Sequence, residues 1–334
     1  MYFATIVQII NIIVDTNHMK LITILIPCYN EEQSLPLLYK ALNSVVETIS
    51  GYEFEYLFIN DGSKDNTLDI LRNLHMQDKR VCYVDLSRNF GKENAMLAGF
   101  DYAKGDAMII MDADLQHPPT LIPDMLAIWN NGEVQDVYAK RRTRGRESWL
   151  RKKLSLLYYK MLDKSTRFEV LQNVGDFRLL DRQAIDALKN LRETERYTKG
   201  MYCWIGFKKQ EILFDQQDRV AGESKWNFFS LLNLAIEGLT SFTTAPLRIA
   251  GYIGGGVAFL SFLYALYYVV KTLIYGDPVA GFPTLIIVIL FMGGLQLLAL
   301  GILGEYVGRI FNEVKRRPVY FAKEYNGEKV MSVK

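Results

Sequence analysis

The sequence predicts an α/β domain on an open, mostly parallel sheet, followed by interfacial amphipathic helices and two transmembrane helices. Three observations carry this. Short apolar runs alternate with helical patterns up to Trp129, basic amphipathic stretches follow, and Ile249 to Val270 and Phe282 to Gly304 contain no charged side chain. A chain of 334 residues, 50% of them hydrophobic, suffices for one full catalytic domain and something extra. Its net charge of +2 is too small to imply nucleic acid. Cys28, Cys82 and Cys203 are far apart and show no paired metal-ligand spacing, which suggests reduced thiols in a cytoplasmic domain.

Residues 1–19 read as an N-terminal extension. Their apolar run, Ile6 to Val14, is interrupted by Gln8 and Asn11 and lacks a basic flank and a cleavage site, so it is a poor signal peptide. Because Met19-Lys20 directly precedes the first strand, an upstream extension or mis-assigned start is expected, with a peripheral apolar helix as the alternative. Leu21 to Ile26 reads as a buried strand broken by Pro27, after which Leu35, Leu38, Leu42, Val45, Val46 and Ile49 recur at helical spacing. Phe54 to Ile59 is a second strand, opening into Asn60-Asp61-Gly62-Ser63 before a helix through Leu68, Leu71 and Leu74. Val81 to Leu86 is a third, followed by Ser87-Arg88-Asn89-Phe90-Gly91-Lys92 and an Ala-rich helix. Ala107 to Met111 is a fourth, and Pro118-Pro119 forbids its continuation. Such alternation implies right-handed crossovers and a mostly parallel sheet. The loops after these strands carry Asn30 and Glu31, Asp61, Lys92, and Asp112 with Asp114, all on the rim where open α/β sheets bind ligands.

Asp112 and Asp114, with the amide oxygen of Gln116, offer hard oxygen ligands to Mg²⁺ or Mn²⁺ and leave room for substrate phosphates. An isolated Asp-x-Asp more often only caps and turns the chain. The polar company on the same rim raises the metal reading.

Beyond Trp129 the character changes. Lys140-Arg141-Arg142-Thr143-Arg144-Gly145-Arg146 leads into a helical pattern with Leu150, Leu154, Leu157, Tyr158 and Met161 on one face. A basic amphipathic helix with Trp and Tyr reads as lying on an anionic membrane surface; a helix packed on the sheet with solvated lysines accounts for it equally well. Residues 226–246 hold a second interfacial candidate, its apolar face including Phe228, Leu232 and Leu239. The two uncharged stretches, at about 1.5 Å per residue, each span a hydrocarbon core of roughly 30 Å. Gly254-Gly255-Gly256 and Gly293-Gly294 would allow close helix packing. Arg248 precedes the first span and Arg309, Lys315, Arg316 and Arg317 follow the second, so the positive-inside rule puts the large domain and the C-terminus in the cytoplasm. The expected division is 1–19 extension, 20–225 cytoplasmic catalytic domain, 226–246 interfacial helix, 247–305 two transmembrane helices with a short external loop, and 306–334 cytoplasmic tail, in a multi-pass protein of the cell membrane.

Ile26-Pro27-Cys28-Tyr29-Asn30-Glu31-Glu32, Asn60-Asp61-Gly62-Ser63, Asp112-Ala113-Asp114-Leu115-Gln116-His117-Pro118-Pro119, Gly222-Glu223-Ser224-Lys225 and Leu303-Gly304-Glu305-Tyr306-Val307-Gly308-Arg309 together resemble the inverting family 2 glycosyltransferases. More narrowly, they are similar to the bacterial polyprenyl-phosphate glycosyltransferases, the bactoprenol glucosyltransferase and dolichol-phosphate mannosyltransferase-like group. The resemblance runs from Leu21 to about Phe321. It implies a Rossmann-like GT-A domain, with a UDP-sugar donor held by Pro27, Tyr29, Asn30, Glu31 and Asp61, and a divalent ion held by Asp112, Asp114 and Gln116 against the diphosphate. Lys92 could assist there. Asn60 departs from the commoner Asp at the first position of its motif. Asp176, in Gly175-Asp176-Phe177-Arg178-Leu179, lies where related hydroxyl-accepting enzymes place a general base; here an orienting role near acceptor and sugar is expected.

A lipid phosphate, with a second pKa near 6, is mostly dianionic at neutral pH and is already a nucleophile. It needs cations that hold one oxygen in line. The candidates are Arg141, Arg151 and Ser155, then Arg219 and Lys225. The expected reaction is transfer of a hexose, glucose from UDP-glucose first, to undecaprenyl phosphate, with N-acetylglucosamine or mannose as alternative sugars. A hydroxyl-accepting polysaccharide synthase and a non-catalytic membrane scaffold are the rival readings. Expected partners are membrane lipids, further copies of the chain in a homo-oligomer such as a tetramer, and a lipid-sugar flippase, with no nucleic acid.

Overall fold

The computed structural model describes residues 19–142, 171, 174–194, 196–215, 245–275 and 281–330. Residues 1–18 of the expected extension, the basic amphipathic helix with Arg151 and Ser155, residues 226–244 of the second interfacial helix, Arg219 and Lys225 lie outside the described residues.

The four expected strands form the centre of one nine-stranded sheet: β1 (Lys20–Cys28), β2 (Tyr52–Asn60), β3 (Val81–Leu86) and β4 (Ala107–Ile110). β1 pairs in parallel with β2 on one side and β4 on the other, and β2 pairs in parallel with β3. Pro27 does not break β1, because it pairs with Ile59 and Cys28 pairs with Asn60. The β4 ladder ends at Leu25↔Ile110, so no partner on that side awaits the missing proline N–H. The helices α1 (Leu35–Val46), α2 (Thr67–Gln77), α3 (Lys92–Tyr102) and α4 (Ile122–Asn130) follow β1 to β4 in turn.

Strand alternation sends apolar residues to both faces. Ile22, Ile24 and Ile26 pack with Leu35, Leu38 and Leu42 of α1 and with Met125 of α4. Leu25, Met108 and Ile110 pack on the other face with Met96, Leu97 and Phe100 of α3. Gly99 lets α3 approach, since a Cβ there would overlap the Leu25 side chain.

The sheet is mixed, not mostly parallel. β5 (Asp136–Arg141) and β6 (Val174–Asp181) are antiparallel to each other, β6 is antiparallel to β4, and β7 (Lys209–Phe214) adds to β5 in parallel. α5 (Arg182–Asn190) and α6 (Thr198–Trp204) connect β6 to β7. The basic run therefore starts inside a strand, where Lys140 pairs with Glu211 at 2.7 Å.

Two long helices follow, α7 (Ala245–Tyr275) and α8 (Phe282–Val314), and they touch each other. Both expected spans fall within them. Among the described residues, one helical stretch, Phe291–Val314, is long and apolar enough to cross a membrane. The segment after α8 is more than a tail. β8 (Ala322–Tyr325) pairs antiparallel with β3 and with β9 (Glu328–Lys329), giving the order β7-β5-β6-β4-β1-β2-β3-β8-β9.

Candidate active site

The carboxyl ends of β1 to β4 bring four loops to one rim, at the point where strand order reverses between β1 and β4. The first two loops interlock. Asn30 N–H donates to Ser63 Oγ at 2.9 Å, Lys64 N–H donates to Asn30 Oδ1 at 2.8 Å, and Glu31 N–H donates to Thr67 Oγ1 at 2.8 Å. Asn30 sits at φ 57°, a conformation Asn tolerates better than most residues. Gly62, at φ +65°, lies so close to the Arg88 backbone that a Cβ would overlap it. Asp61 ties the third loop to the second, accepting Phe90 N–H at 2.7 Å and Gly91 N–H at 3.0 Å. Burial pushes its carboxyl up, against those two hydrogen bonds. Lys92 then opens α3.

The antiparallel register explains the centre of the site. Ile110 pairs with Arg178, so two places further along Asp112 stands across from Asp176. Lys92 Nζ lies 2.6 Å from Asp112 Oδ1 and 2.6 Å from Asp176 Oδ2. Desolvation works against the ammonium, but the two carboxylates hold its pKa well above the ordinary lysine range. Burial likewise works against Asp176, and Lys92, Lys199 and Arg178 outweigh it, so its carboxyl is held well below the usual range. Asp112 is lowered in the same balance, with burial opposing Lys92 and His117. Asp176 Oδ1 is buried and has no hydrogen-bond partner among the described residues. Beneath it, Arg178 donates to Asp136 Oδ2 at 2.9 Å and stacks 3.5 Å from the Tyr202 ring centroid.

Asp112 N–H also donates to His117 Nδ1 at 3.2 Å. His117 is buried, stacked on Phe177 at 4.9 Å, and burial depresses its pKa, so the ring is neutral with Nδ1 as acceptor. Glu31 completes the acidic rim. Burial raises its pKa, a Ser34 hydroxyl hydrogen bond opposes this, and Asp114 and Asp112 add to the rise.

Among the described residues no group of three or more His, Cys, Asp or Glu side chains forms a metal cage. The rim instead offers the carboxylates of Asp112 and Asp114. That donor set fits a hard divalent ion that keeps several positions for phosphate oxygens and water. Gln116 contributes a main-chain contact, its N–H donating to Asp114 Oδ1 at 3.1 Å.

The structure thus gathers Asn30, Glu31, Asp61, Lys92, Asp112, Asp114 and Asp176 on one rim. Pro27 lies in β1 beside it, Tyr29 is exposed at 37%, and Arg141 ends β5 close enough for its charge to reach His117. Three neighbours of the rim escaped the sequence reading. Asp85 accepts Asn60 Nδ2–H at 2.7 Å and pairs with Lys323 at 3.2 Å; the signal was one acid inside an apolar strand. His117 carried no signal beyond its place after the Asp-x-Asp. Glu93, which accepts both N–H and hydroxyl of Thr198, read as an ordinary helix acid.

The glycosyl transferase family 2 profile matches residues 23–189, and the GtrB C-terminal hairpin profile matches residues 245–310. A glycosyltransferase of Synechocystis sp. is 42% identical over 306 residues, 92% of this chain and 96% of that one. The putative glycosyltransferase CsbB of Bacillus subtilis is 45% identical over 306 residues, 92% of each chain. The bactoprenol glucosyl transferase of Shigella phage SfII is 44% identical over 303 residues, 91% of this chain and 97% of that one.

Proposed function

The chain belongs to glycosyl transferase family 2, and from that premise we propose that it transfers one glucosyl residue from UDP-glucose, with inversion, to undecaprenyl phosphate at the cytoplasmic membrane face. The observation that carries the reading is Lys92 bridging Asp112 and Asp176 on the switch-point rim. The relatives named bactoprenol glucosyl transferase, similar over nearly the whole chain, support glucose as the sugar and a polyprenyl phosphate as the acceptor.

Asp112 and Asp114 are the residues that would hold Mg²⁺ or Mn²⁺, and that ion, when bound, neutralises charge on the leaving nucleoside diphosphate. Tyr29, Asn30 and Glu31 line the donor side, on a loop stiffened by Ser63 and Thr67. Asp61 acts one step back, fixing the loop that delivers Lys92. Lys92 supplies a fixed cation without reorganisation at the moment of transfer. Asp176 is ionised at neutral pH, and a phosphate dianion needs no base. Its unpartnered Oδ1 is placed to accept a sugar hydroxyl, which orients the anomeric carbon. Arg141, with Arg151, Ser155, Arg219 and Lys225, holds the acceptor phosphate.

Both α7 and α8 cross the membrane in this reading. Its support is topological: β8, which follows α8, pairs with β3 of the domain that precedes α7, so an even number of crossings is required. The Gly-rich faces favour a homo-oligomer.

The test is incubation of purified protein with undecaprenyl phosphate, Mg²⁺ and radiolabelled UDP- and GDP-sugars, then lipid extraction. One labelled sugar per lipid, from UDP-glucose alone, is expected. Label from another donor replaces the sugar, and a growing polymer overturns the acceptor. Asp114→Ala should abolish transfer in folded protein; undiminished transfer removes Asp114 from the site.

A further inference from the structure

Shortly after α8 ends at Val314, the returning chain meets α3, the helix that opens on Lys92, at its last turn and at the loop that leads into it. At the last turn, buried Tyr320 donates from Oη to Asp101 Oδ2 at 2.6 Å, and Arg192 donates to both oxygens of the same carboxylate. At the loop, the Phe321 ring centroid lies 6.3 Å from that of Phe90, with the ring planes tilted by 44°. Phe90 stands two places before Lys92.

An edge strand needs some apolar anchor for its own cohesion, and Tyr320 supplies one. Phe321 does not fit that account, because it is 41% exposed and its ring partner belongs to the loop that delivers Lys92. The same loop is gripped along its main chain. Ser87 N–H donates to Phe321 O at 2.8 Å, Asp61 accepts the N–H groups of Phe90 and Gly91, and Asn94 Nδ2–H donates to Phe90 O at 3.0 Å. On the side chain of Phe90 the contacts are Phe321 and the Arg88 guanidinium, 4.1 Å from the ring centroid. The chain then turns at Gly91, φ +90°, a conformation glycine adopts without steric cost. Where Phe90 is held therefore sets where Lys92 starts. The tolerance at the other end of that lysine is small, since one ammonium meets Asp112 Oδ1 and Asp176 Oδ2 at 2.6 Å each.

We propose that Phe321 is a positioning residue for transfer. By packing on Phe90 it fixes the entry into α3, and with it the place of the Lys92 ammonium between Asp112 and Asp176. The lysine is thereby tied to the segment that leaves the α7–α8 hairpin. This deepens the reading of the rim as the transfer site and rests on it.

The experiment is steady-state transfer from UDP-glucose to undecaprenyl phosphate by the full-length protein, with amide hydrogen exchange on the same samples. An aromatic pair is worth up to about a factor of ten, so Phe321→Ala should lower kcat about tenfold and leave KM for the donor unchanged. Phe321→Tyr, which keeps the ring at an exposed position, should restore kcat. In a Lys92→Met background, Phe321→Ala should cost at most about a further twofold, because the group it positions is gone. Exchange in the segment 87–91 should quicken in Phe321→Ala while protection of Ala322–Tyr325 stays. A full tenfold loss repeated in the Lys92→Met background overturns the proposal, as does unchanged exchange at 87–91. Loss of protection throughout Ala322–Tyr325 also overturns it, reducing Phe321 to cohesion of the edge. If the wild type transfers no sugar, the reading of the rim fails and this inference with it; if the wild type transfers and Phe321→Ala does so at full rate, this inference alone fails.

Discussion

Lys92 serves two carboxylates at once, so its removal should register at both. Lys92→Met leaves Asp112 and Asp176 facing each other across the rim without their shared cation. Orphaning a buried charge costs about 3–5 kcal/mol, and since Lys92 is itself 41% exposed we expect a loss nearer 2 kcal/mol in thermal unfolding. Transfer should fall by about 10²-fold or more, as for loss of one preorganised electrostatic group; a variant with near-normal turnover would remove Lys92 from the chemistry. Asn60 offers a second test. Asn60→Asp sets a carboxylate against Asp85 Oδ1, both residues being buried, and should destabilise by about 1–3 kcal/mol. Adding Asp85→Asn should restore most of it, measured as a double-mutant cycle. Asp61, Asp112 and Asp114 were legible in the sequence because each follows an apolar run directly. Their geometry was not: Asp176 meets Asp112 only through the antiparallel pairing of β6 with β4. Asp85 was hidden because its pairing partners, Asn60 and Lys323, come from another strand and from the far end of the chain.

At the scale of the element, the C-terminal hairpin is the part whose role changed most between sequence and structure. Four residues, Ala322–Tyr325, are too short and too polar to announce a strand, yet β8 covers the edge of β3 that would otherwise lie open. Its anchor is Glu324, which accepts from Arg72 Nη2 at 2.6 Å and Nε at 3.2 Å and also from the Tyr83 hydroxyl. The Arg72 hydrogen bond holds the Glu324 carboxyl below its ordinary value. A carboxyl lowered in the folded state contributes its stability above the unfolded value of about 4.3 and loses it as the pH falls through the lowered one. Amide protection of β8 by hydrogen exchange should therefore hold at neutral pH and decline in acid. Glu324→Gln should show weaker protection with no such acid decline. Central strands β1 to β4 were read correctly because each is largely buried on both faces and predominantly apolar. β5 and β6 escaped because antiparallel partners need no apolar run or helix between them to declare their place.

The whole molecule is a sheet domain joined to a helical hairpin, with the chain returning to the sheet afterwards. If α7 and α8 both cross the bilayer, alkaline carbonate washing should leave the full-length protein in the membrane pellet. Recovery in the supernatant would reduce the hairpin to a peripheral contact. The sequence by itself determined the class of the domain, the placing of acids at the ends of its apolar runs, the two long helices and the family. These are local properties, set by periodicity, breakers and motif spacing within a few turns of chain. Only the tertiary structure decided that the sheet is mixed, that Lys92 joins Asp112 to Asp176, and that Lys323 and Glu324 close the far edge. Those contacts join residues far apart in the chain, and the strand register that brings them together is selected by packing of the whole sheet rather than by any one stretch.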